Sequence, residues 1–324
     1  MRDEQNEKHT SASREEWLPV FSLAGIFLIA QFLALTITPQ FIKEDMAAFE
    51  EGEEDSLSNI LIILAEILVI TAVLLYLAKK GKKKLVHYFV LAVFALAIWN
   101  TLSPLFAYVL PPSSAGLLGL ISGIGLAFLF YKYPEWYVID SVGVLICAGI
   151  ATILGISLAP FVIIIFLVLL AVYDALAVYK TRHMLDLADV AVEKKLPLMF
   201  VVPREFPYSF LKEKGLKEKL DSGEKRDAMF MGLGDVVMPS LLAVSSVTFL
   251  GSKEGGTAFM GIAPPFVVAF SVVLGSFLGF VALMWFVMKG KPQAGLPFLN
   301  SGAILGYMLS ALLVYGELGL SLSW

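Results

Sequence analysis

The stretch "MFMGLGDVVMPSLLAVSSVTFL", from Met229 to Leu250, has the length and the apolar content of a membrane-spanning helix. It nevertheless carries Asp235, immediately after Gly232, Leu233 and Gly234. An acid at the bilayer centre costs about 2.5–3.5 kcal/mol on insertion scales, and each glycine inside a helix costs about 1 kcal/mol relative to alanine. The sequence therefore predicts a spanning segment over 229–249 whose polar features need a reason outside the helix itself.

The composition of the whole chain agrees with a membrane protein. Of its 324 residues, 58% are hydrophobic and 16% are charged, whereas soluble domains have about 45–50% and 25%. The mean hydropathy is +0.80. A net charge of −4 gives no reason to expect a nucleic-acid partner. The single cysteine, Cys147, makes neither an internal disulfide nor a cysteine metal site, no H-E-x-x-H motif occurs, and we expect no metal and no cofactor.

Nine apolar stretches are long enough to cross a bilayer, which predicts an all-α polytopic membrane protein with nine transmembrane helices. They cover 17–37, 57–78, 85–106, 113–131, 136–153, 155–178, 229–249, 265–288 and 297–316. The fifth and sixth are separated only by "ILGISLAP" (Ile153 to Pro160), so eight spans with one very long helix remain an alternative.

The basic residues predict the orientation of the chain. With the N-terminus inside, the inner segments carry 22 Lys and Arg and the outer segments carry 2, Lys43 and Lys253. Lys and Arg gather in cytoplasmic loops. We therefore expect a multi-pass protein of the cell membrane with a cytoplasmic N-terminus and an extracytoplasmic C-terminus.

We expect one integrated membrane domain in three parts. Residues 1–178 would form the first six spans, 179–228 a cytoplasmic loop, and 229–324 the last three spans. Within the loop, "LPLMFVVP" (196–203) has the character of a strand. The basic segment "FLKEKGLKEKL" (210–220) that follows is expected along the membrane surface.

Four acids fall inside the predicted spans, and each needs an explanation: Glu66, Asp140, Asp174 and Asp235. Asp140 follows Trp136 by four residues and is interpreted as an interfacial acid that reaches headgroups or water. Glu66 lies near the middle of span 2. It is interpreted as a buried structural acid beside Gln31 or Asn100, with a proton relay as the alternative.

Asp174 and Asp235 differ from the other two acids because they lie at matched depth. Asp174 sits six residues before Lys180, and Asp235 sits eight residues after Asp227. At 1.5 Å rise per residue, each is on the order of 10 Å inside the cytoplasmic boundary. Since spans 6 and 7 are consecutive and antiparallel, the two side chains can face one another.

Two carboxylates that share a site cannot both ionise easily, so one proton is retained. The ionised acid can activate water as a general base, and the protonated acid can donate to the scissile carbonyl. This is peptide hydrolysis without a metal or a covalent intermediate. Gly232 and Gly234 would let a substrate backbone approach Asp235, although close helix packing is the alternative for glycines alone.

These residues resemble the presenilin and signal peptide peptidase family. "AVYDALAV", with Tyr173–Asp174, is followed 61 residues later by "GLGD", Gly232 to Asp235, as in the family's Tyr-Asp and Gly-x-Gly-Asp motifs. The family also has nine spans and a large loop between the sixth and seventh. The resemblance is closest to archaeal presenilin homologues, and it implies an intramembrane aspartyl endopeptidase with Asp174 and Asp235 as catalytic residues.

The family's third motif, Pro-Ala-Leu before the last span, is imperfect in "KPQAGLPFLN". Leu296 and Pro297 match its Leu and the Pro that follows, while Ala294 and Gly295 stand where Pro and Ala would be. The resemblance implies that substrate contacts come from both motifs: Tyr173, Gly232, Leu233, Gly234, Ala294, Gly295, Leu296 and Pro297. The orientation is that of presenilins, which implies type I membrane proteins as substrates, surrounded by membrane lipids.

Three other classes of protein agree less well with these residues. An ion- or proton-coupled transporter or channel would also use intramembrane acids, but no inverted repeat or matched pair of broken helices is visible. Prepilin peptidases would place membrane helices between the two acids, where 179–228 is too polar to span. A non-catalytic scaffold would not need the intact acid pair. The sequence leaves open whether the chain forms a homo-oligomer.

Overall fold

The computed structural model describes residues 2–49, 52–80, 83–181, 199–205, 208–210, 227–251, 256, 258–259, 261–289 and 293–319. The predicted surface segment 210–220 lies outside these residues beyond Phe210. The described chain is mainly helical. Its helices are α1 (Arg2–Lys43), α2 (Leu57–Lys79), α3 (Lys83–Ala107), α4 (Pro112–Lys132), α5 (Trp136–Ser157), α6 (Pro160–Leu176), α7 (Leu233–Leu250), α8 (Pro264–Met288) and α9 (Gly295–Tyr315).

Prolines and a glycine set several of these helix boundaries. Pro112, Pro160 and Pro264 each occupy the first helical position, where the missing N–H costs nothing because that donor has no partner inside a helix. Gly316 follows α9 with φ of 73°, a left-handed conformation that glycine adopts without strain. The α5–α6 boundary falls at Leu158 and Ala159, so the two spans that "ILGISLAP" separates are distinct helices.

The all-α membrane architecture predicted from the sequence is confirmed. Eight of the described helices are long and apolar enough to cross a membrane. In α2 the apolar helical stretch among the described residues is shorter, Leu57–Ile70. Large apolar side chains are exposed along the outer helices, as on Leu61, Leu117 and Leu313, which is the pattern expected where lipid rather than water surrounds a protein.

The helices pack around one large apolar core, to which helices from the N-terminal and the C-terminal parts of the chain both contribute. It includes Phe27 of α1, Phe166 of α6, Leu241 of α7, Phe280 of α8 and Tyr307 of α9. A smaller cluster lies between α3, α4, α5 and β1 and includes Phe94, Phe130, Ile139 and Val201. Because α5 belongs to both clusters, it connects the main core to the small sheet described next.

The prediction of a spanning helix over 229–249 is wrong at the N-terminal end of the segment. Residues Ala228–Gly232 form a strand, β2, and the helix begins only at Leu233. β2 pairs antiparallel with β1 (Met199–Pro203), so the strand predicted within 196–203 is confirmed. Gly232 and Gly234 therefore lie at a strand-to-helix junction rather than in a helix interior, and the penalty expected for interior glycines does not apply there.

The α8–α9 contact depends on glycines that let the two backbones touch. A Cβ on Gly302 would overlap the carbonyl oxygen of Gly275, and a Cβ on Gly275 would overlap that of Gly302. Further along, Gly306 meets the Ser271 carbonyl in the same way. Such small-residue interfaces hold membrane helices by close packing, since lipid supplies no hydrophobic drive between them.

We expect Gly302→Val to destabilise the protein, because its side chain must push α8 and α9 apart. Overpacking of this kind costs about 1–3 kcal/mol, which should lower the melting temperature in detergent by several degrees. Gly25→Val is the matched control, because a Cβ at Gly25 of α1 meets nothing within 4 Å. Equal melting temperatures for the two variants would contradict this account of the α8–α9 contact.

Candidate active site

Asp174 lies at the cytoplasmic end predicted for α6, and the fold buries it almost completely. Its side chain is 1% exposed. Its Oδ2 accepts a hydrogen bond from the Leu296 N–H at 3.0 Å, and the Gly295 backbone lies close to the same carboxyl. Its Oδ1 is buried and has no hydrogen-bond partner within the described part of the chain. Three residues after Asp174 the helix widens into a π-helical turn, Ala177–Thr181, a distortion frequent at functional sites.

Asp235 lies in the first turn of α7, where helical N–H groups lack partners and favour an acid. The backbone of Gly232 lies beside its carboxyl, since a Cβ there would be 3.4 Å from Asp235 Oδ2. On the other side lies Gly295, so close that a Cβ there would be 3.0 Å from Asp235 Oδ1 and 3.3 Å from Oδ2. The Asp235 side chain is half-buried and lies between the end of β2 and the start of α9.

The structure brings the two acids together, as the matched depth predicts. Asp174 contacts the backbone of Gly295 and Leu296, and Asp235 lies against the same Gly295. The two carboxyl groups also interact electrostatically with each other. Three separate elements, α6, α7 and the start of α9, thus meet at one acidic pair.

Side-chain contacts hold the start of α9 against α6. The Tyr179 hydroxyl donates to Gln293 Oε1 at 2.7 Å, just before the α9 helix. One helical turn inside α9, the buried Asn300 donates through Nδ2 to the Leu167 carbonyl at 2.9 Å. Neither Tyr179 nor Asn300 was among the site residues predicted from the sequence. The only signal for Asn300 is that it is an amide within an apolar span, where a polar group needs a buried partner.

The remaining predicted substrate residues divide into two groups. Around the acids, Gly234 is exposed with nothing near its Cβ position, Ala294 is fully buried, and Leu233 and Pro297 are half-buried. Tyr173 differs, because its side chain is 67% exposed while the neighbouring Asp174 is buried. The structure thus leaves open space beside Gly234 and places Tyr173 on the outer surface of α6.

The small sheet leads directly to Asp235. Val201 lies opposite Phe230, yet its N–H donates to Asp140 Oδ1 at 2.8 Å, away from β2. Hydrogen-bonded and non-hydrogen-bonded pairs alternate along an antiparallel ladder. The outward-facing backbone groups of β2 are therefore those of Ala228, Phe230 and Gly232. This outer edge of β2 ends at Gly232, which lies beside the Asp235 carboxyl.

The interpretations of Asp140 and Glu66 were wrong. Asp140 is not an interfacial acid: it is 7% exposed and buried against β1, because the sheet covers the start of α5. Glu66 is not buried beside Gln31 or Asn100, since it lies on an exposed face of α2. Gln31 is instead buried and accepts a hydrogen bond from Ser276 of α8.

Among the residues that the structure describes, no group of three or more His, Cys, Asp or Glu side chains could hold a metal ion. Two neighbouring carboxyl groups beside an exposed glycine can exchange protons with a water and a bound substrate.

Comparison with known proteins agrees with this site. A sequence model of signal-peptide peptidase and presenilin aspartyl proteases matches residues 24–315. The chain belongs to this family. A solved structure of a presenilin family intramembrane aspartate protease in space group C222 aligns with a TM-score of 0.68 and 33% sequence identity, covering 91% of this chain and 100% of that one. Another, in space group P2, has a TM-score of 0.65, 34% identity and coverage of 92% and 99%.

No match was found among curated proteins. The family resemblance predicted from the Tyr-Asp and Gly-x-Gly-Asp motifs is confirmed by the family match and the two solved structures. This presenilin-family chain is accordingly an intramembrane aspartyl protease and an integral, multi-pass membrane protein.

Proposed function

We propose that this protein is an endopeptidase that hydrolyses peptide bonds in or near the transmembrane helices of membrane-protein substrates, with Asp174 and Asp235 acting together on a water molecule. The observation that carries the proposal is the meeting of both carboxyl groups at the Gly295–Leu296 backbone. Acids that belonged to separate structural contacts would have no reason to converge on one stretch of backbone.

The chemistry follows from the closeness of two carboxyl groups. Both cannot ionise easily, so the pair retains one proton. The ionised member takes a proton from water as general base, and the water oxygen attacks the scissile carbonyl. The protonated member donates to that carbonyl oxygen, which gives a gem-diol. The pair then protonates the amide nitrogen and takes a proton back from a gem-diol hydroxyl, as the C–N bond breaks and the amine leaves. The pair ends with one proton and needs no metal and no covalent intermediate.

A substrate helix must unwind before it can be cut, because a helix keeps its backbone groups in internal hydrogen bonds. An unwound segment needs new partners, and the outer edge of β2 offers the N–H and C=O groups of Phe230. Adding a strand to an exposed edge is a recurrent way to bind extended peptide. Such a strand would run past Gly232 to Asp235, with Leu233, Gly234 and residues 294–297 around it.

The substrates we propose are single-span proteins of type I orientation. The support for this is the excess of Lys and Arg in the segments expected in the cytoplasm, 22 against 2, which favours a cytoplasmic N-terminus and an extracytoplasmic C-terminus. The acid pair then lies on the cytoplasmic side of the bilayer centre. The cut is expected in the cytoplasmic half of the substrate helix.

Reconstitution in liposomes tests the proposal. The purified protein is expected to cleave a co-reconstituted single-span substrate, and mass spectrometry of the products should place the cut inside or next to the membrane helix. A pH-sensitive dye trapped in the same liposomes should report no proton flux. Proton flux without any cleavage would contradict the protease and favour a transporter that uses the same acids.

A further inference from the structure

One face of α5 contacts both the sheet and the Gly-Leu-Gly-Asp turn. Asp140, Gly143 and Cys147 are spaced by three and four residues, so they lie along one side of the helix. Asp140 accepts the Val201 N–H of β1 at 2.8 Å. A Cβ on Gly143 would lie 2.9 Å from the Phe200 ring and 3.1 Å from Leu233 Cδ2. Cys147 lies 3.6 Å from the Leu233 carbonyl oxygen, to which its Sγ–H donates.

The Asp140 carboxyl also closes the outer edge of β1. An exposed edge offers a row of unpaired N–H groups to which another strand can add. On β1 the outward-facing residues are Met199, Val201 and Pro203, because they alternate with those bonded to β2. The Val201 N–H is taken by Asp140, and Pro203 has no N–H. Of the three outward-facing residues of the described strand β1, Met199 alone keeps an N–H that is neither bonded to Asp140 nor absent because of a proline ring.

A second acid, Glu135, lies immediately before α5 and contacts Ser209 and Phe210, which come after β1 in the chain. Glu135 Oε1 accepts from the Ser209 hydroxyl at 2.7 Å, and Oε2 accepts from the Phe210 N–H at 2.9 Å. Phe210 is 1% exposed and belongs to the same cluster as Ile139 and Val201. Asp140 of α5 thus holds the middle of β1, and Glu135 at the start of the same helix holds Ser209 and Phe210 further along the chain.

From these contacts we infer that Asp140 is a positioning residue: its Oδ1 fixes β1 to α5, which sets the hairpin and Leu233 in register with Asp235 and directs an incoming strand to β2. The inference rests on the proposed function only where it concerns substrate. What Asp140 supplies is a hydrogen-bond acceptor. Its other oxygen, Oδ2, has no hydrogen-bond partner within the described structure, so no contact among the described residues requires a negative charge at this position.

Asp140→Asn and Asp140→Leu separate the acceptor from the charge. Asparagine keeps an oxygen for the Val201 N–H, so its kcat/KM should stay within about threefold of the wild type, a difference smaller than the loss of one hydrogen bond. Leucine leaves that N–H buried without an acceptor, which should lower kcat/KM by at least about tenfold. The cleavage products of Asp140→Leu should also shift toward neighbouring peptide bonds, because the register of the substrate strand is no longer fixed.

Ser141→Leu is the matched control, since Ser141 is exposed and its hydroxyl bonds only within α5. A readout independent of cleavage is hydrogen–deuterium exchange of residues 199–203 in nanodiscs, which should be faster in Asp140→Leu and unchanged in Asp140→Asn. Should the leucine variant fail to fold, Gly143→Ala decides, because its methyl group displaces Phe200 and Leu233 while the carboxyl stays. That variant is expected to show the same shift in products.

The inference is overturned if Asp140→Asn loses as much activity as Asp140→Leu, because the charge or the proton would then be what matters. It is also overturned if Asp140→Leu or Gly143→Ala cleaves at the wild-type rate and position. An inactive wild-type protein would instead contradict the proposed function. The exchange measurement would still show whether Asp140 anchors β1.

Discussion

Replacing either Asp174 or Asp235 with asparagine is expected to abolish cleavage of a transmembrane-helix substrate. A positioned general acid or base contributes about 10²–10⁴-fold to a rate, and a pair that shares one proton loses both functions when either member is replaced. We therefore expect less than about a thousandth of the wild-type rate in each single variant, and no further loss in the double variant. The measurement is product formation in liposomes with purified protein.

Asparagine is the informative replacement because it preserves the contacts around the acids. At Asp174 it still offers an oxygen to the Leu296 N–H, which the aspartate accepts at 3.0 Å. At Asp235 it has nearly the same volume beside Gly295, where space is tight. What it removes is the ability to give up and take back a proton at neutral pH. A folded but inactive variant would therefore locate the defect in the chemistry.

Glu66→Gln is the matched control for these variants. It also neutralises an acid within a membrane helix, but Glu66 lies on an exposed face of α2, so cleavage should be unchanged. Equal melting temperatures for all three variants would show that the fold is intact. Cleavage at the wild-type rate by purified Asp174→Asn or Asp235→Asn would refute the proposed mechanism.

The sequence predicts the helices and the acid pair because both depend on local information. Hydropathy and the prolines at 112, 160 and 264 define where helices begin. The depths of Asp174 and Asp235 follow from counting residues along two consecutive, antiparallel spans. Hydropathy and the number of residues from each span end are enough to expect these two acids on the same side of the bilayer centre.

The strand before α7 could not be predicted in the same way. Residues 228–232 are apolar, and a short apolar run fits a buried strand or a helix equally well. Its strand conformation depends on pairing with β1, whose register links Met199 to Gly232. The decision between helix and strand therefore rests on a contact between segments distant in sequence.

The hydrogen-bond partner of Asp140 could not be predicted from the sequence, for a related reason. Its carboxyl accepts a backbone N–H from Val201, 61 positions away, and every residue except proline carries such a donor. No residue type in the sequence marks that particular amide. Asn300 is similar, because its partner is the Leu167 carbonyl. Membrane polar residues whose partners are backbone groups are identified as polar by sequence, but their contacts require the fold.

After the two acids, Gly295 is the position where a larger side chain is expected to lower the rate of cleavage the most. A Cβ there would lie 3.0 Å from Asp235 Oδ1, 3.2 Å from Cγ and 3.3 Å from Oδ2. In Gly295→Val the branched side chain must displace the Asp235 carboxyl or the start of α9, which also carries the Leu296 N–H bonded to Asp174. A displacement near 1 Å in an active site can cost about 10²-fold in rate, so we expect kcat to fall at least that far.

Gly295→Ala is expected to lie between the wild type and the valine variant. The resemblance to the presenilin family places alanine at this position of the Pro-Ala-Leu motif, and a single methyl group requires the Asp235 carboxyl to move by only a few tenths of an ångström. Gly25→Val controls for adding the same side chain elsewhere, since a Cβ at Gly25 meets nothing within 4 Å. Rates and melting temperatures are compared for all three variants.

The pair of Gly295 variants separates two reasons for a glycine beside the acids. Alanine removes most of the extra backbone freedom of glycine and adds little volume, whereas valine adds bulk next to Asp235. If space beside the carboxyl is what matters, alanine retains most of the activity and valine loses it. An alanine variant as inactive as the valine variant would mean that the backbone at Gly295 must change conformation during the reaction, and full activity of Gly295→Val would contradict the geometry of the acid pair.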